Sequence, residues 1–399
     1  MVRSRKVLAC AVLASPTIFW GCRTAPQPPG AHYDTLPANP SAAAASDRAP
    51  AASPPRTRVA LEPAAPEPVL TPLDRSGLRE KAIEVLSKGA LARDPLVRAN
   101  SLEGLEAAPS RAESAIRAGL VDENVGVRFT AAMLVGRMRL TSSAPFVEPL
   151  ANDTDPRVRA AALFALTRCG RAVDLTPLAR MLEDPDARMR SEAARILGAL
   201  GNPSAMPMLR MAAADSSRRF RGETGAGDEI RQSREHIFQL QVAEALARLG
   251  DQTASDAIRA ALYPSSREGF EAAALAAQIL GGLRDPKAVG QMVDIIEQTV
   301  PDTPTGGDPR RLQYLQPKEV RLACATALAR MDFSDGAYVA DMYVEDSDPL
   351  VRAQAAFVYG YTRRPSGMVR LDAMLSDPSP LVQAAAAAAL LRALESPRP

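Results

Sequence analysis

Apolar and polar positions recur along the 399-residue chain with a period of about 31 residues. The marker is a Val-Arg pair, at Val97-Arg98, Val127-Arg128, Val158-Arg159, Val320-Arg321 and Val351-Arg352, with Met189-Arg190 and Val382-Gln383 in the same frame. Gln239 and Ala273 take the Arg slot between these two blocks once two insertions are allowed. Counted forward from that slot, offsets +3 and +4 are mostly small, as in Ala131-Ala132, Ala193-Ala194 and Ala355-Ala356. Offset +7 is Leu105, Val135, Leu166, Leu197, Leu246, Leu280, Leu328, Tyr359 and Leu390. A 3, 4, 7 spacing is the buried face of an amphipathic helix, and small residues on it let a neighbouring helix come close. Offset −4 is Asp94, Asn124, Asp155, Asp186, Asp348 and Ser379, with Pro95, Pro156, Pro349 and Pro380 next. These are N-cap residues followed by proline at the first helical position. Short turns such as Gly201-Asn202-Pro203 then lead into a second apolar segment, for example Val289 to Ile296. Each unit is predicted to be a helical hairpin with one face left for its neighbour to cover.

The Asp-Pro-x-Val-Arg string and the Ala-Leu pattern ending near Leu-Gly resemble HEAT repeats of the bacterial phycobilisome-lyase-like type, from about Leu78 to Glu395. The resemblance implies an all-α fold, a right-handed α-solenoid of stacked hairpins. At roughly 10 Å per hairpin, nine units are expected to form a curved rod of ~90 Å. Leu78 to Lys88 is predicted as a leading half-repeat. The last unit stops after its first helix, so that end is expected to lack a second helix and to be capped by Arg392 and Glu395. The alternative is a self-association surface at Leu391 and Leu394.

Ahead of the repeats, Met1 to Lys6 is basic and Val7 to Trp20 is apolar. That run is shorter than the about 20 residues a membrane span needs and fits a signal-peptide core. It ends in Phe19-Trp20-Gly21-Cys22, which resembles a bacterial lipobox: Gly21 and Cys22 match, while Phe19 and Trp20 depart from the pattern. The expected organisation is a signal peptide at 1–21, a lipidated Cys22 opening a Pro/Ala-rich tether at 22–73, and a solenoid at 74–399. The lipobox resemblance implies anchoring on the periplasmic side of the cell envelope, with Arg23 favouring the outer membrane of a Gram-negative cell; secretion without lipid is the alternative. As polyproline II the tether reaches at most ~150 Å.

With the leader removed, 45 basic residues face 46 acidic ones, so the chain has no field to attract nucleic acid. Asp122, Asp153, Asp184, Asp346 and Asp377 stand two residues before the caps, and are expected to serve helix N-termini rather than calcium. The recurring Arg is expected to pair with acidic groups of its own or the next repeat. Cys169 and Cys324 fall on core offsets, so buried thiols are expected. Some HEAT-type enzymes hold metal with repeated His-Glu pairs, but the one adjacent pair here is the reversed Glu235-His236. No catalytic residue, metal or cofactor is therefore expected.

The interruptions at 215–231 and 299–316 carry Arg218, Arg219, Phe220 and Arg221, and Arg310, Arg311 and Tyr314. Arg and aromatic residues are favoured interface anchors, and both insertions are expected on one edge as a composite docking surface. Tyr338, Tyr343, Tyr359 and Tyr361 form a secondary candidate group. The function expected is a non-catalytic scaffold of the bacterial envelope that binds a protein or peptide. An enzyme or cofactor-binding relative of the lyase-like or hydroxylase-like HEAT proteins is the alternative.

Overall fold

The computed structural model describes residues 67–219, 228–264, 269–301, 312–334 and 336–395. The signal peptide, Cys22 and nearly all of the tether lie outside the described residues. The first helix, α1 (Pro72–Gly89), starts earlier than predicted because Thr71 and Asp74 form a reciprocal capping box ahead of Leu78.

Among the described residues nine hairpin-leading helices follow: α2 (Pro95–Gly104), α4 (Val125–Met138), α6 (Pro156–Arg168), α8 (Ala187–Leu200), α10 (Asp228–Arg248), α12 (Phe270–Leu283), α14 (Lys318–Arg330), α16 (Pro349–Thr362) and α18 (Pro380–Leu394). Five of the six predicted caps at their starts are formed, whereas the Ser379 side chain makes no cap hydrogen bond. Asp94 accepts from the Leu96 N–H at 2.9 Å, Asp155 from Arg157 at 2.8 Å and Asp348 from Leu350 at 2.8 Å. Their ends share a device that the periodicity did not show. At offset +11 the backbone turns left-handed in seven successive units, at Arg139, Gly170, Gly201, Gly250, Arg284, Asp332 and Arg363. Glycine reaches that conformation freely, whereas the arginines and the aspartate hold it at a cost of about 1 kcal/mol each.

The second helices are mostly shorter: α3 (Pro109–Leu120), α5 (Ala144–Val147), α7 (Thr176–Met181), α9 (Met206–Arg219), α11 (Ala254–Ala260), α13 (Val289–Glu297), α15 (Ala337–Tyr343) and α17 (Pro365–Met374). Between α13 and α14, the strands β1 (Thr299–Pro301) and β2 (Leu312–Tyr314) pair antiparallel, with Thr299 opposite Tyr314. Apart from this short ladder the described architecture is an all-α solenoid.

The expected open rod is not what forms. Each leading helix packs on the next one, and the circuit closes because α18 packs on α16, α1 and α2 together. Thus α1 is the missing second helix of the last unit, supplied from the other end of the chain. Leu391, expected as a capped or self-associating end, is buried with Leu390 and Ala393. Polar contacts fasten the same seam: Lys81 donates to Asp372 at 3.1 Å, and Glu67 accepts from the Ser366 N–H at 2.8 Å. The physical reason is elementary. A terminal hairpin half leaves an apolar face open at each end of a stack, and here the two open faces cover one another.

Close approach of the leading helices depends on small residues at offset +8. A Cβ at Gly198 would stand 2.7 Å from the Ala245 Cα, one at Gly281 2.7 Å from the Ala327 Cα, and one at Gly360 2.8 Å from the Ala389 carbonyl oxygen. Gly136 meets Phe164 and Ala165 in the same way. Because backbone cannot yield as a side-chain tip can, Gly360→Val is expected to lower stability by about 3 kcal/mol. Gly77→Ala, in a helix position with nothing within 4 Å, is expected to raise it by about 0.5–1 kcal/mol. Urea unfolding of the two variants measures both; equal effects would contradict close packing at Gly360.

Candidate functional site

The two edges of the ring differ chemically. At the N-terminal edge of the leading helices, Arg98 forks onto Asp122 at 2.7 and 2.8 Å, Arg128 onto Asp153 at 2.8 and 3.0 Å, and Arg352 onto Asp377 at 2.8 Å on both arms. The remaining guanidinium nitrogen donates to two backbone carbonyls in the turn before its own helix, as Arg159 does to Asp153 and Thr154. Each of these aspartates also accepts the N–H of the capping residue, for example Asn124 to Asp122 at 2.8 Å and Ser379 to Asp377 at 2.8 Å. The Asp ladder is thus consumed in joining repeats, as its position at helix starts implied. Hydrogen bonds from Arg128 and the Asp155 N–H hold the Asp153 carboxyl below its usual range even though burial opposes them.

Both insertions rise from this edge, and at each the rail changes partner. Arg190 pairs with Glu235, whose other oxygen accepts from Ser216 Oγ at 2.5 Å, and stacks over Phe238 at 4.8 Å. Arg321 is fully buried and has no carboxylate partner among the described residues. Lys318 occupies Asp346, the acid that the pattern would have offered it. Instead Arg321 donates to the Ile296 carbonyl at 3.1 Å and to Tyr343 Oη at 2.6 Å, and lies 3.2 Å from the centre of the Tyr314 ring. Tyr314, predicted as a docking anchor, is therefore the pin that holds the strand pair down.

The first insertion is shorter than the predicted loop, because α9 continues to Arg219 and α10 begins at Asp228. Arg218 and Arg219 end α9. Phe220, Arg221, Arg310 and Arg311 lie outside the described residues. The four tyrosines of the secondary group do not act together. Tyr338 and Tyr343 serve the Arg321 cluster, Tyr359 is buried and donates to Asp341 at 2.7 Å, and Tyr361 lies elsewhere, between Arg330 and Arg392.

That last placement belongs to a face the sequence pattern did not single out. Offsets +2, +5 and +9 lie on the opposite side of each leading helix from the +3, +4 and +7 face. They point into the centre of the closed circuit. Side chains from non-adjacent repeats meet there: Arg195 reaches over Phe129 at 5.5 Å, and Glu103 feels Arg195 as well as its neighbour Arg137. Most of the buried polar atoms left without a partner converge on this stripe, in Asn100, Glu103, Thr130, Arg137, Arg168, Gln241, Gln354 and Arg392. A repeated offset carrying Arg at Arg137, Arg168, Arg248, Arg330 and Arg392 was the available signal. It was masked because a linear stack gives that face no centre to converge on.

Among the described residues no group of three or more His, Cys, Asp or Glu side chains could hold a metal ion, and no helix is long and apolar enough to cross a membrane. Cys324 is a buried free thiol pushed up to about 12 by burial, and Cys169 is a half-buried free thiol raised by the same cause.

The family model for HEAT repeats matches residues 80–167 and 144–227. Residues 80–227 of the chain are HEAT repeats. Similar solved structures include human deoxyhypusine hydroxylase in complex with glycerol, at 18% identity over 73% of this chain and 99% of that one, with a TM-score of 0.35. The complex of CpcE and CpcF of phycocyanin lyase from Nostoc sp. PCC7120 is similar at 17% identity over 70% and 96%, with a TM-score of 0.36. A designed armadillo repeat protein is similar at 16% identity over 56% and 100%, with a TM-score of 0.31. At these values the likeness says nothing of activity or ligand. No curated protein matches the sequence.

Within the HEAT ring, Glu103 reports how dry the centre is. Burial pushes its carboxyl up to about 7, with Arg137, 3.5 Å away, opposing the shift. A carboxyl raised on folding weakens the fold as pH climbs from its ordinary range through the raised value. Glu103→Gln is therefore expected to change little below pH ~4 and to stabilise by roughly 3 kcal/mol at pH ~8, at about 1.36 kcal/mol per pKa unit. Thermal unfolding of both proteins across that range is the test, and a difference independent of pH would refute it.

Proposed function

We propose that the chain is a non-catalytic scaffold of the bacterial cell envelope, tethered through a lipid on Cys22 and binding a protein or peptide partner with the outside and N-terminal edge of the ring. The observation that carries the reading is the location of exposed apolar side chains. Phe146, Met211, Met342 and Val369 all stand exposed on second helices, which form the outer layer. The sequences of the two insertions, two repeats apart, are basic and aromatic, with Arg218, Arg219, Phe220 and Arg221 in one and Arg310 and Arg311 in the other. HEAT-repeat solenoids suit such work because successive helices present one long, rigid surface.

The tether follows from Phe19-Trp20-Gly21-Cys22 and the Pro/Ala-rich segment behind it. More than one acyl chain makes anchoring durable, at about 0.8 kcal/mol per buried CH₂. Palmitate labelling with membrane fractionation is expected to show Cys22-dependent label and retention, both lost in Cys22→Ala. An unlabelled chain in the cytoplasmic fraction would remove the envelope from the reading.

Docking is tested separately. Replacing 220–227 or 302–311 by a short Gly/Ser linker is expected to abolish co-purification of a crosslinked envelope partner, with helicity and melting unchanged. Capture that survives both deletions would exclude the insertions and leave the outer helices as the surface.

A further inference from the structure

We propose that the ring mouth at the C-terminal ends of the leading helices is a binding site for a dianionic oxyanion, a phosphate monoester or a dicarboxylate, held between Arg330 and Arg392. Five arginines stand at the same level, at offset +9, but their circumstances differ. Arg137 is engaged by Glu106 at 2.8 Å and by Glu103 at 3.5 Å, and Arg248 by Glu244 at 2.7 Å. Arg168, at least three repeats away around the ring, has no carboxylate partner among the described residues, and neither have Arg330 and Arg392. Arg330 has a single long contact, 3.5 Å to the Gln278 carbonyl, and Arg392 keeps an enclosed Nη1 with no partner.

Both guanidiniums face the ring of Tyr361, at 5.4 and 4.7 Å from its centre. Burial lowers the proton affinity of Arg330, and the nearby charges of Arg392 and Arg248 add to that, while Tyr361 and Glu244 act the other way. Offset +9 of the repeat between Arg248 and Arg330 is Gly282, where a Cβ would stand 3.2 Å from Arg330 Nη2.

An arginine in the last turn of a helix is favourable by itself, since it answers the carbonyl end of the dipole. That accounts for one cation per helix. It does not account for two uncompensated guanidiniums from different repeats converging on one tyrosine, which repel each other and leave a buried N–H unmade. An oxyanion between them removes both penalties. Guanidinium forks match phosphate and carboxylate oxygens in pairs, and the Tyr361 ring fixes the planes from which those N–H groups project. Two unpaired positive charges set the ligand charge at two.

The test is thermal unfolding of the full chain titrated with sodium phosphate and, separately, sodium succinate, each against sodium chloride of equal ionic strength. A saturable rise in Tm with either anion is expected, since a ligand that binds only the folded state stabilises it by mass action. Phosphate alone identifies the phosphoryl class, and succinate alone or alongside it admits the dicarboxylate. Arg330→Met and Arg392→Met are each expected to raise the titration midpoint about tenfold or more, and to melt no lower than the native chain in chloride, because repulsion is relieved. Arg392→Lys keeps the charge but loses the fork, and is expected to fall between. Arg370→Met, on the exposed face of α17, is expected to leave the titration unchanged. The site is overturned if neither anion gives a saturable rise. It is also overturned if the rise survives in both Met variants, or if those variants melt lower in chloride with the anion response intact.

Discussion

The contact of α18 with α1 and α2 is the constraint on which the rest of this molecule depends. An open solenoid has two ends to protect, and it can lengthen or shorten by a repeat without penalty elsewhere. A closed one cannot. Nine equal steps must together make one full turn, about 40° each, so the spacing of leading helices is fixed by the circuit as well as by local packing. That is why glycine stands at Gly136, Gly198, Gly281 and Gly360, each against the following leading helix. A wider contact at any of them would spread the ring, and the α18 seam would open first.

Closure also gives the molecule a centre. In an open stack the +2, +5 and +9 positions would face solvent along a groove, where polar side chains cost nothing. Once the circuit closes, the same residues are drawn together and lose water. Glu103 is raised to about 7 for this reason, and Arg137 offsets only part of the burial cost. The contrast with the N-terminal edge is instructive. There Arg98, Arg128 and Arg352 each meet a carboxylate of the next repeat and a pair of carbonyls of their own turn, so these charges are local, repetitive and satisfied. At the centre they are irregular, drawn from distant repeats and incompletely satisfied.

The sequence was legible wherever structure repeats. The buried 3, 4, 7 face recurs in all nine units, side-chain caps in five and the Arg–Asp fork in three, and a recurring pattern can be read from a single chain. Ring closure could not be read that way. It is a sum over all the small rotations between hairpins, and it occurs once. The contact made by Tyr314 was hidden for a related reason. An aromatic residue in an insertion suggests an exposed anchor, but here the Arg slot of the neighbouring helix had lost its acid to Lys318, and Tyr314 with Tyr343 took over that role. The cue was present, since Arg321 is the only rail arginine with a lysine three residues before it, but its meaning needed the fold.

The same reasoning separates what this fold must keep from what it is free to vary. Offsets +3, +4, +7 and +8 are bound by packing to Ala, Leu and Gly, and the cap and rail positions are bound by the backbone groups they satisfy. The inner stripe is bound by neither. A position under no packing demand that nevertheless carries Arg in five of nine repeats, on a chain that could have placed Ala there as it does at Ala107 and Ala199, carries charge at a cost to its own stability. The outer layer is free in the opposite sense, because exposed Phe146 and Met211 weaken nothing inside. Closure therefore yields two surfaces of different kinds: an outer one that varies without affecting the ring, and an inner one whose charges the ring must bear until a counter-charge enters.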